Sequence, residues 1–361
     1  MFTVKFGRTV TSAIVSSLMC CSAFAQHYIQ TNLVSNVSGI AATTDSNLRN
    51  PWGLSRSSSS PWWVTDNHTG LSTLYDGTGA TIPLVVTIPP AVQGQTGSPS
   101  GTIYNGTLDF LLAPGLQAAF LFCTEDGTIS GWNSKVQAAS AVIKWNPADG
   151  SSYKGMTSAV VRGQKYLYAA NFGKWRIDVF DTEFKPVALR DGQFSDPDLP
   201  FGFSPYNIQL IGENLYVAYA QPQSSGGDAN TGPGLGVVDV FSTSGKLLLR
   251  LEDGDHMNEP WGMALAPGDF GRFSHDILVG QFGSGQIAAF NAVTGAFEGI
   301  MVDIADLPVK IPGLWGLSFG NNGKAGSGSV LYFAAGMNDE NDGLIGTLTP
   351  VSADLVAGNG Q

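Results

Sequence analysis

One short pattern recurs along this chain at a long and nearly constant spacing. Its clearest copy contains Asn50-Pro51-Trp52-Gly53, then Val64-Thr65-Asp66-Asn67, then Leu74-Tyr75-Asp76. Weaker copies are marked by Met156, Tyr206, Trp261 and Trp315. Their spacing is 50 to 55 residues, and the 104 residues between the first two markers leave room for one more copy. A repeat of this period is typical of a ring or stack of small units, which constrains the fold before any residue is given a role.

The additional copy is predicted in residues 106–110, 118–127 and 129–133, which makes six units. Apolar residues alternate with polar ones inside each unit, and Gly, Asn, Asp and Pro interrupt the alternation, as in strands joined by turns. Third strands are predicted at 175–181 and 236–241. Fourth strands are predicted at 184–187, 245–249 and 295–299. Four antiparallel strands per unit predict an all-β fold, a six-bladed β-propeller. An open β-solenoid is disfavoured, because its repeats are about 20 to 30 residues long.

The region before the first complete unit contains one further strand, predicted at 28–34. We expect this strand to complete the sixth blade from the other end of the chain. The domain is therefore predicted to span 26–350, followed by a tail at 351–361. Composition agrees with many short strands and tight turns, because 46 of 361 residues are Gly and only 13% are charged.

The first 25 residues are predicted to be a signal peptide. Lys5 and Arg8 precede a mildly apolar stretch, and Ala23-Phe24-Ala25 has the small-x-small pattern of a cleavage site. We therefore expect a secreted or periplasmic protein that begins at Gln26 and spans no membrane. Cleavage leaves Cys123 as the only cysteine, which excludes an internal disulfide. The net charge of −11 argues against a nucleic-acid partner, since such binding depends on clustered Lys and Arg.

The first copy resembles the NHL repeat, in which Asn-Pro-x-Gly precedes an apolar-x-Val-x-Asp segment. The whole mature chain is similar to an uncharacterised secreted NHL-type β-propeller family, mostly bacterial, with an early Asn-Pro-Trp-Gly and a late Asn-Asp-Glu-x-Asp-Gly. These motifs stand here at 50–53 and 338–343. Some members carry a PEP-CTERM sorting tail, which this chain lacks. The resemblance implies a fold and an extracellular location, and it implies no particular activity.

In a propeller, the first strands line a central channel, and they begin on the face where the second strands end. This geometry predicts a ring of oxygen-rich and aromatic side chains on one face. The candidate ligand-binding residues are Trp52, Asp66, Asn67, Asn171, Tyr206, Asn207, Gln221, Trp261, Gln281 and Trp315. The candidate metal ligands are Asp66, Glu125, Glu259, Asn338, Asp339, Glu340 and Asp342.

Three interpretations of this ring stay open. The Asp and Asn side chains could satisfy turn N–H groups, with the Trp-Gly pairs packing between blades. The oxygen ligands could hold Ca²⁺, which takes six to eight oxygens. The aromatic faces could stack on sugar rings while amides orient hydroxyls. Residues 338–343 do not form an EF-hand, because the twelfth position of that loop is Thr349 instead of Glu.

Two functions follow from these interpretations. The first is an extracellular binding or scaffold protein, without a cofactor, whose aromatic- and amide-rich channel face takes a small molecule, a carbohydrate or a protein. The alternative is a calcium-dependent hydrolase or lactonase-like enzyme with its site at the channel mouth. No catalytic motif supports the enzyme, and His68 is the only histidine near the proposed face. We expect the protein to be a monomer.

Overall fold

The computed structural model describes Met1, residues 26–224 and residues 226–354. The predicted signal peptide, apart from Met1, and the end of the predicted tail lie outside the described residues. Two strands precede the ring, β1 (Tyr28–Ser35) and β2 (Thr43–Thr44). The first blade contains β3 (Pro51–Ser55), β4 (Trp62–Asp66), β5 (Leu71–Tyr75) and β6 (Val86–Thr87). The second blade begins with β7 (Pro99–Tyr104), carries a hairpin of β8 (Leu111–Ala113) and β9 (Leu116–Gln117), and continues with β10 (Phe120–Thr124), β11 (Ile129–Trp132) and β12 (Val142–Trp145).

The remaining blades repeat this arrangement. The third contains β13 (Tyr153–Val161), β14 (Gln164–Asn171) and β15 (Arg176–Phe180). The fourth contains β16 (Ser204–Ile211), β17 (Asn214–Ala220), β18 (Val237–Ser242) and β19 (Leu247–Arg250). The fifth contains β20 (Pro260–Leu265), β21 (Asp276–Gln281), β22 (Ile287–Asn291) and β23 (Phe297–Ile300). The sixth contains β24 (Leu314–Phe319), β25 (Leu331–Met337) and β26 (Asp342–Pro350).

The sixth blade is completed by the beginning of the chain, as predicted. β1 runs antiparallel to β26 from the pair Tyr28–Pro350 to the pair Ser35–Leu344. β2 adds a short parallel strand outside β1. The six-bladed, nearly all-β propeller expected from the repeat is therefore confirmed. Two short 3₁₀ helices, Phe172–Lys174 and Gly271–Phe273, interrupt the strands. Among the described residues, no helix has the length and apolar character needed to cross a bilayer.

The third blade departs from the four-stranded pattern. A fourth strand was predicted at 184–187, but only an isolated bridge between Phe180 and Pro186 forms there. Proline has no N–H to donate to a strand ladder, which limits pairing at this position. Phe184 also adopts a positive φ of 63°, which belongs to a turn.

The first strand of the second blade was predicted at the wrong place. Residues 106–110 form a loop, and the inner strand is β7. The loop is held by Asn105, whose amide donates to the carbonyl oxygens of Asp109 and Ala118, each at 2.9 Å. The prediction relied on an apolar pattern, whereas β7 is Pro-Ser-Gly-Thr at its buried end.

The strand pairing fixes one equivalent position in all six inner strands. Pro51 pairs with Asp66, Tyr153 with Asn171 and Pro260 with Gln281. The next residue of each inner strand faces the ring centre. These six residues are Trp52, Ser100, Lys154, Tyr206, Trp261 and Trp315. Lys154, rather than the predicted marker Met156, therefore occupies the third-blade position.

The residue after each ring position explains why the pattern contains Gly. A Cβ at Gly53 would lie 2.7 Å from the carbonyl oxygen of Ser100, and one at Gly316 would lie 2.5 Å from that of Trp52. Neighbouring inner strands thus approach too closely for a side chain. The fourth blade instead has Asn207, whose amide donates to the carbonyl oxygen of Trp261 at 2.7 Å. The inner strands are consequently fixed backbone against backbone.

His27 contacts two carboxylates near the joined ends of the chain, and we call this group of three residues the clasp. Its contribution to stability is expected to depend on pH. The His27 ring lies 3.0 Å from Asp354 Oδ2 through Nδ1 and 2.8 Å from Asp306 Oδ1 through Nε2. Both contacts raise the pKa of His27, so its stabilising effect is full below the unfolded value of 6.5 and disappears as pH rises through the folded value. We expect His27→Gln to lower the melting temperature more at pH 6 than at pH 9.

The measurement is thermal unfolding of both proteins across that pH range. His68→Gln, which changes an exposed histidine outside the clasp, serves as the matched control. An equal loss at both pH values would show that the imidazolium does not contribute to the clasp.

Candidate functional site

The centre of the ring is filled by aromatic side chains. Trp52 stacks on Trp315 with centroids 3.7 Å apart, and Trp261 meets both edge-on at 5.9 and 5.8 Å. Tyr206 and Phe172 extend this cluster. The four rings of the predicted aromatic face are only 1 to 5% exposed, because they pack on one another. They therefore fill the centre of the ring.

Lys154 is a residue at the ring centre that was not among the predicted site residues. Its side chain is 1% exposed, and its ammonium forms an ion pair with Glu125. The ammonium also lies over the faces of three rings, at 5.2 Å from Trp52, 5.5 Å from Phe172 and 5.9 Å from Tyr206. Such contacts stabilise a cation most when water is excluded. A buried positive charge is thus held at the centre of the ring by one carboxylate and three aromatic faces.

Glu259 stands immediately before the fifth inner strand and contacts Tyr206, one of the rings under the Lys154 ammonium. It is 2% exposed, and its Oε1 accepts a hydrogen bond of 2.8 Å from the Tyr206 hydroxyl. Its Oε2 is buried and has no hydrogen-bond partner among the described residues. Burial, with the charge of Glu340 added, raises the pKa of Glu259 to about 8. A buried carboxyl with one unsatisfied oxygen carries a cost in free energy.

Glu340 reaches the same place from an unusual turn between β25 and β26. Three consecutive residues, Asn338, Asp339 and Glu340, have positive φ values of 54°, 50° and 64°. Such backbone strain costs of order 1 to 3 kcal/mol per residue and is concentrated at functional sites. The Glu340 carboxyl accepts a 2.5 Å hydrogen bond from the Asn50 amide, and burial raises its pKa to about 7. Asn50 in turn accepts from Trp315 Nε1 at 2.9 Å, which connects the turn to the aromatic cluster.

Two further residues complete the group. Asn67 donates to Glu125 Oε2 at 2.6 Å, so Glu125 is held from two sides. Asp228 lies in the loop 221–236, which is much longer than the corresponding loops 67–70 and 125–128. Its charge is a minor cause of the raised pKa of Glu259 and of Glu340, after burial. We use the term acidic mouth for the following set of residues: Asn50, Asn67, Glu125, Lys154, Asp228, Glu259 and Glu340.

The other predicted amides have local structural partners. The side chain of Asn171 donates to Asp178 Oδ2 at 2.7 Å and accepts from the backbone N–H of Lys174. The Gln281 side chain accepts from the Asn258 N–H at 2.8 Å. Gln221 accepts from the Asn230 amide at 3.1 Å. These three amides therefore stabilise turns and are not gathered with the acidic mouth.

The predicted metal ligands also differ in their surroundings and in their hydrogen-bond partners. Asp66 is buried, accepts from Thr73 at 2.8 Å and has a pKa raised by burial and by Asp45. Asp342 accepts from Asn338 at 3.0 Å and from Asn36 at 2.8 Å, and Asp339 is exposed. Among the described residues, no group of three or more acidic, His or Cys side chains is arranged to hold a metal ion. These residues do not fit a shared ion here, and calcium binding stays a prediction.

The opposite opening of the channel is lined mainly by uncharged residues. It contains a cavity of about 330 Å³ at the far ends of the inner strands, and Trp261 and Asn207 are among the residues that line it. Thr102, Gln209 and Arg56 are among the polar residues of its wall, and Arg56 is the only charged one. The negative groups of the channel are therefore concentrated at the acidic mouth.

The raised pKa values predict how stability depends on pH. Glutamates in the unfolded chain ionise near pH 4.5, whereas Glu340 and Glu259 keep their protons to about 7 and about 8. The unfolded chain binds fewer protons in this interval, so stability falls as pH rises through it. We expect Glu259→Gln to gain roughly 2 kcal/mol relative to wild type between pH 5 and pH 9, allowing for water entering the mouth.

Urea unfolding at a series of pH values measures this difference. Glu298→Gln, which changes an exposed acid of β23, is the matched control. Parallel pH profiles of wild type and Glu259→Gln would contradict the buried, protonated state of Glu259.

Comparison with known structures shows the fold. The apo-form of a soluble aldose sugar dehydrogenase from Escherichia coli superposes with a TM-score of 0.55 at 11% identity, covering 90% of this chain and 100% of that one. A streptogramin B lyase superposes with a TM-score of 0.52 at 14% identity, covering 90% and 98%. At these identities the likeness shows the propeller alone.

Comparison with known sequences shows closer relatives. No family model matches the chain, so the NHL-type assignment stays a prediction. The uncharacterized protein R648 of Acanthamoeba polyphaga mimivirus is 31% identical over 323 residues, covering 88% of this chain and 78% of R648. The uncharacterized protein L690 of the same virus is 32% identical over 333 residues, covering 88% and 84%. This six-bladed β-propeller therefore belongs to the family of the mimivirus proteins R648 and L690.

Proposed function

We propose that this protein is a secreted binding protein that holds a small polar ligand at its acidic mouth. The observation that carries the proposal is the ammonium of Lys154, which is buried in the ring, pairs with Glu125 and lies over Tyr206, the hydrogen-bond donor to Glu259. A ring that only needed a packed centre would favour an apolar residue at this position, because burying charge is costly.

The geometry of the acidic mouth supports ligand binding in two further ways. Glu259 Oε2 and Trp52 Nε1 are both buried without a hydrogen-bond partner among the described residues. Asn50, Glu259 and Glu340 all have positive φ, so the surrounding fold holds them in strained conformations. Preorganised polar groups at the end of a channel are typical of small-molecule sites.

A second candidate function is an enzyme, the hydrolase or lactonase-like alternative. The specific observation in its favour is Glu259, since a pKa of about 8 suits a general acid or base at neutral pH. A panel of esters and lactones, assayed with and without Ca²⁺, tests this candidate. Turnover that is lost in Glu259→Gln would support an enzyme, and an inert panel would oppose it.

The binding proposal is tested by ligand-observed NMR on the mature chain. The panel contains monosaccharides, polyols, amino acids and diamines, and the proteins are wild type, Glu259→Gln/Glu340→Gln and Glu298→Gln. We expect at least one compound to bind wild type and Glu298→Gln alike, and to lose at least tenfold in affinity in the double variant. Compounds that bind all three proteins equally, or no binding at all, would refute a site at the acidic mouth.

Export of the protein and cleavage of its signal peptide are tested by a separate experiment. Residues 1–25 support export, because they combine Lys5 and Arg8 with an apolar stretch and a small-x-small site. Expression of the full chain in a bacterial host, followed by N-terminal sequencing of exported material, should give Gln26 as the first residue. Uncleaved protein retained in the cytoplasm would refute the proposal.

A further inference from the structure

Resting on the proposed function, we infer that the ligand of the acidic mouth is an organic ammonium ion, bound against Glu259 and Glu340 beside Lys154. Three features of the site favour this class of ligand: the surroundings of Lys154, the balance of charge and one unsatisfied oxygen.

The first step is that the ring already stabilises one ammonium ion. The Lys154 Nζ is paired with Glu125 and lies within 6 Å of the ring centroids of Trp52, Phe172 and Tyr206. Aromatic faces combined with carboxylates are the surroundings in which ammonium groups are recognised. The surroundings of Lys154 are therefore suited to an ammonium group.

The second step is that the acidic mouth contains fewer cationic side chains than carboxyl side chains. Lys154 is the only cationic residue of the acidic mouth, whereas Glu125, Glu259, Glu340 and Asp228 supply four carboxyls. Glu125 is matched by Lys154, and the other three have no cation of their own in the set. Burial, and then the charges of neighbouring carboxylates, raise the pKa values of Glu259 and Glu340. A second positive charge would ionise these groups favourably.

The third step is the unsatisfied oxygen. Glu259 is 2% exposed, its Oε1 is occupied by Tyr206 and its buried Oε2 has no partner among the described residues. An ammonium ion donates up to three hydrogen bonds and can satisfy this oxygen. A compact metal ion is a poorer match, because the described acidic side chains are not arranged to hold one.

The test uses a matched pair of probes, 1,4-diaminobutane and 1,4-butanediol, which differ only in the charged end groups. Isothermal titration of the mature wild-type chain near pH 8 should show binding of the diamine at least tenfold tighter than of the diol. Glu259→Gln should weaken diamine binding at least tenfold, and Glu298→Gln should leave it unchanged. Asp228→Asn, in an exposed loop, provides a second variant that leaves the ring untouched and should also weaken the diamine.

Three results would overturn the inference. Absence of diamine binding by wild type would do so, and so would equal binding of the diol, which leaves the proposed polar-ligand function intact. Binding of CaCl₂ that is abolished by Glu259→Gln and excludes the diamine would assign the mouth to a metal ion. Circular dichroism of each variant confirms that it is folded before its affinity is compared.

Discussion

Lys154→Met is expected to lower the free energy of unfolding by about 3 kcal/mol, the low end of the cost of breaking a buried ion pair. Methionine keeps the length and apolar stem of the side chain but removes the ammonium. Glu125 then loses its cation, and three aromatic faces lose a cation contact. Equilibrium unfolding in urea at pH 7 measures the change.

Two companion variants make this result specific. Lys154→Met/Glu125→Gln removes both charges and should recover part of the loss, since the destabilisation comes from the carboxylate left unpaired. Lys185→Met breaks an ion pair with Glu183 in which both side chains are 69% exposed, and should cost far less than Lys154→Met, because exposed ion pairs contribute little to stability. A similar small cost at Lys154 would mean that its charge is not stabilised by the ring.

Gly316→Ala is expected to destabilise the ring by about 3 kcal/mol, at the upper end of the usual cost of overpacking. The new Cβ would lie 2.5 Å from the carbonyl oxygen of Trp52, which belongs to the backbone of the next inner strand. Backbone cannot move aside without shifting the blade that carries it. Thermal and urea unfolding measure the loss.

Gly106→Ala is the matched control for this substitution. The nearest atom to its new Cβ is Cε1 of Tyr104 at 3.2 Å, in a side chain that is 42% exposed and can turn away. The change should therefore be within about 0.5 kcal/mol of wild type. Equal losses at both glycines would contradict the contact between inner strands as the cause of the loss at Gly316.

The fold was predictable because its signals are local and repeated. Alternation of apolar residues and the turn residues between them identify strands, and a period above 50 residues indicates blades. The role of β1 was also accessible, since a lone strand at one end of a ring needs a partner at the other. The error at residues 106–110 has a physical cause. The buried end of β7 consists of small residues, so apolar periodicity does not mark it.

The candidate site was predictable only in part. Glu125 and Glu259 were predicted because strand ends meet on one face, and Glu340 because it lies in the acidic segment 338–343. In the structure Glu125 pairs with Lys154, Glu259 accepts from Tyr206 and Glu340 accepts from Asn50. Lys154 itself was hidden, because the third copy was aligned on Met156, two residues too far along. Sequence patterns also cannot distinguish aromatic rings that stack on a ligand from rings that stack on one another. Trp52 and Trp315 do the latter.

Closure of the sixth blade by β1 also determines when the fold can be finished. The bond from the Ser35 hydroxyl to the Gly343 carbonyl oxygen joins residues 308 positions apart in the chain. A chain that emerges from its N-terminus can assemble early blades, but it stays an open arc until the last strand arrives. Joining such distant segments carries a large entropic cost and is slow. Closure of the ring is therefore a late step of folding, and a chain without β26 exposes a strand edge that can pair with other copies.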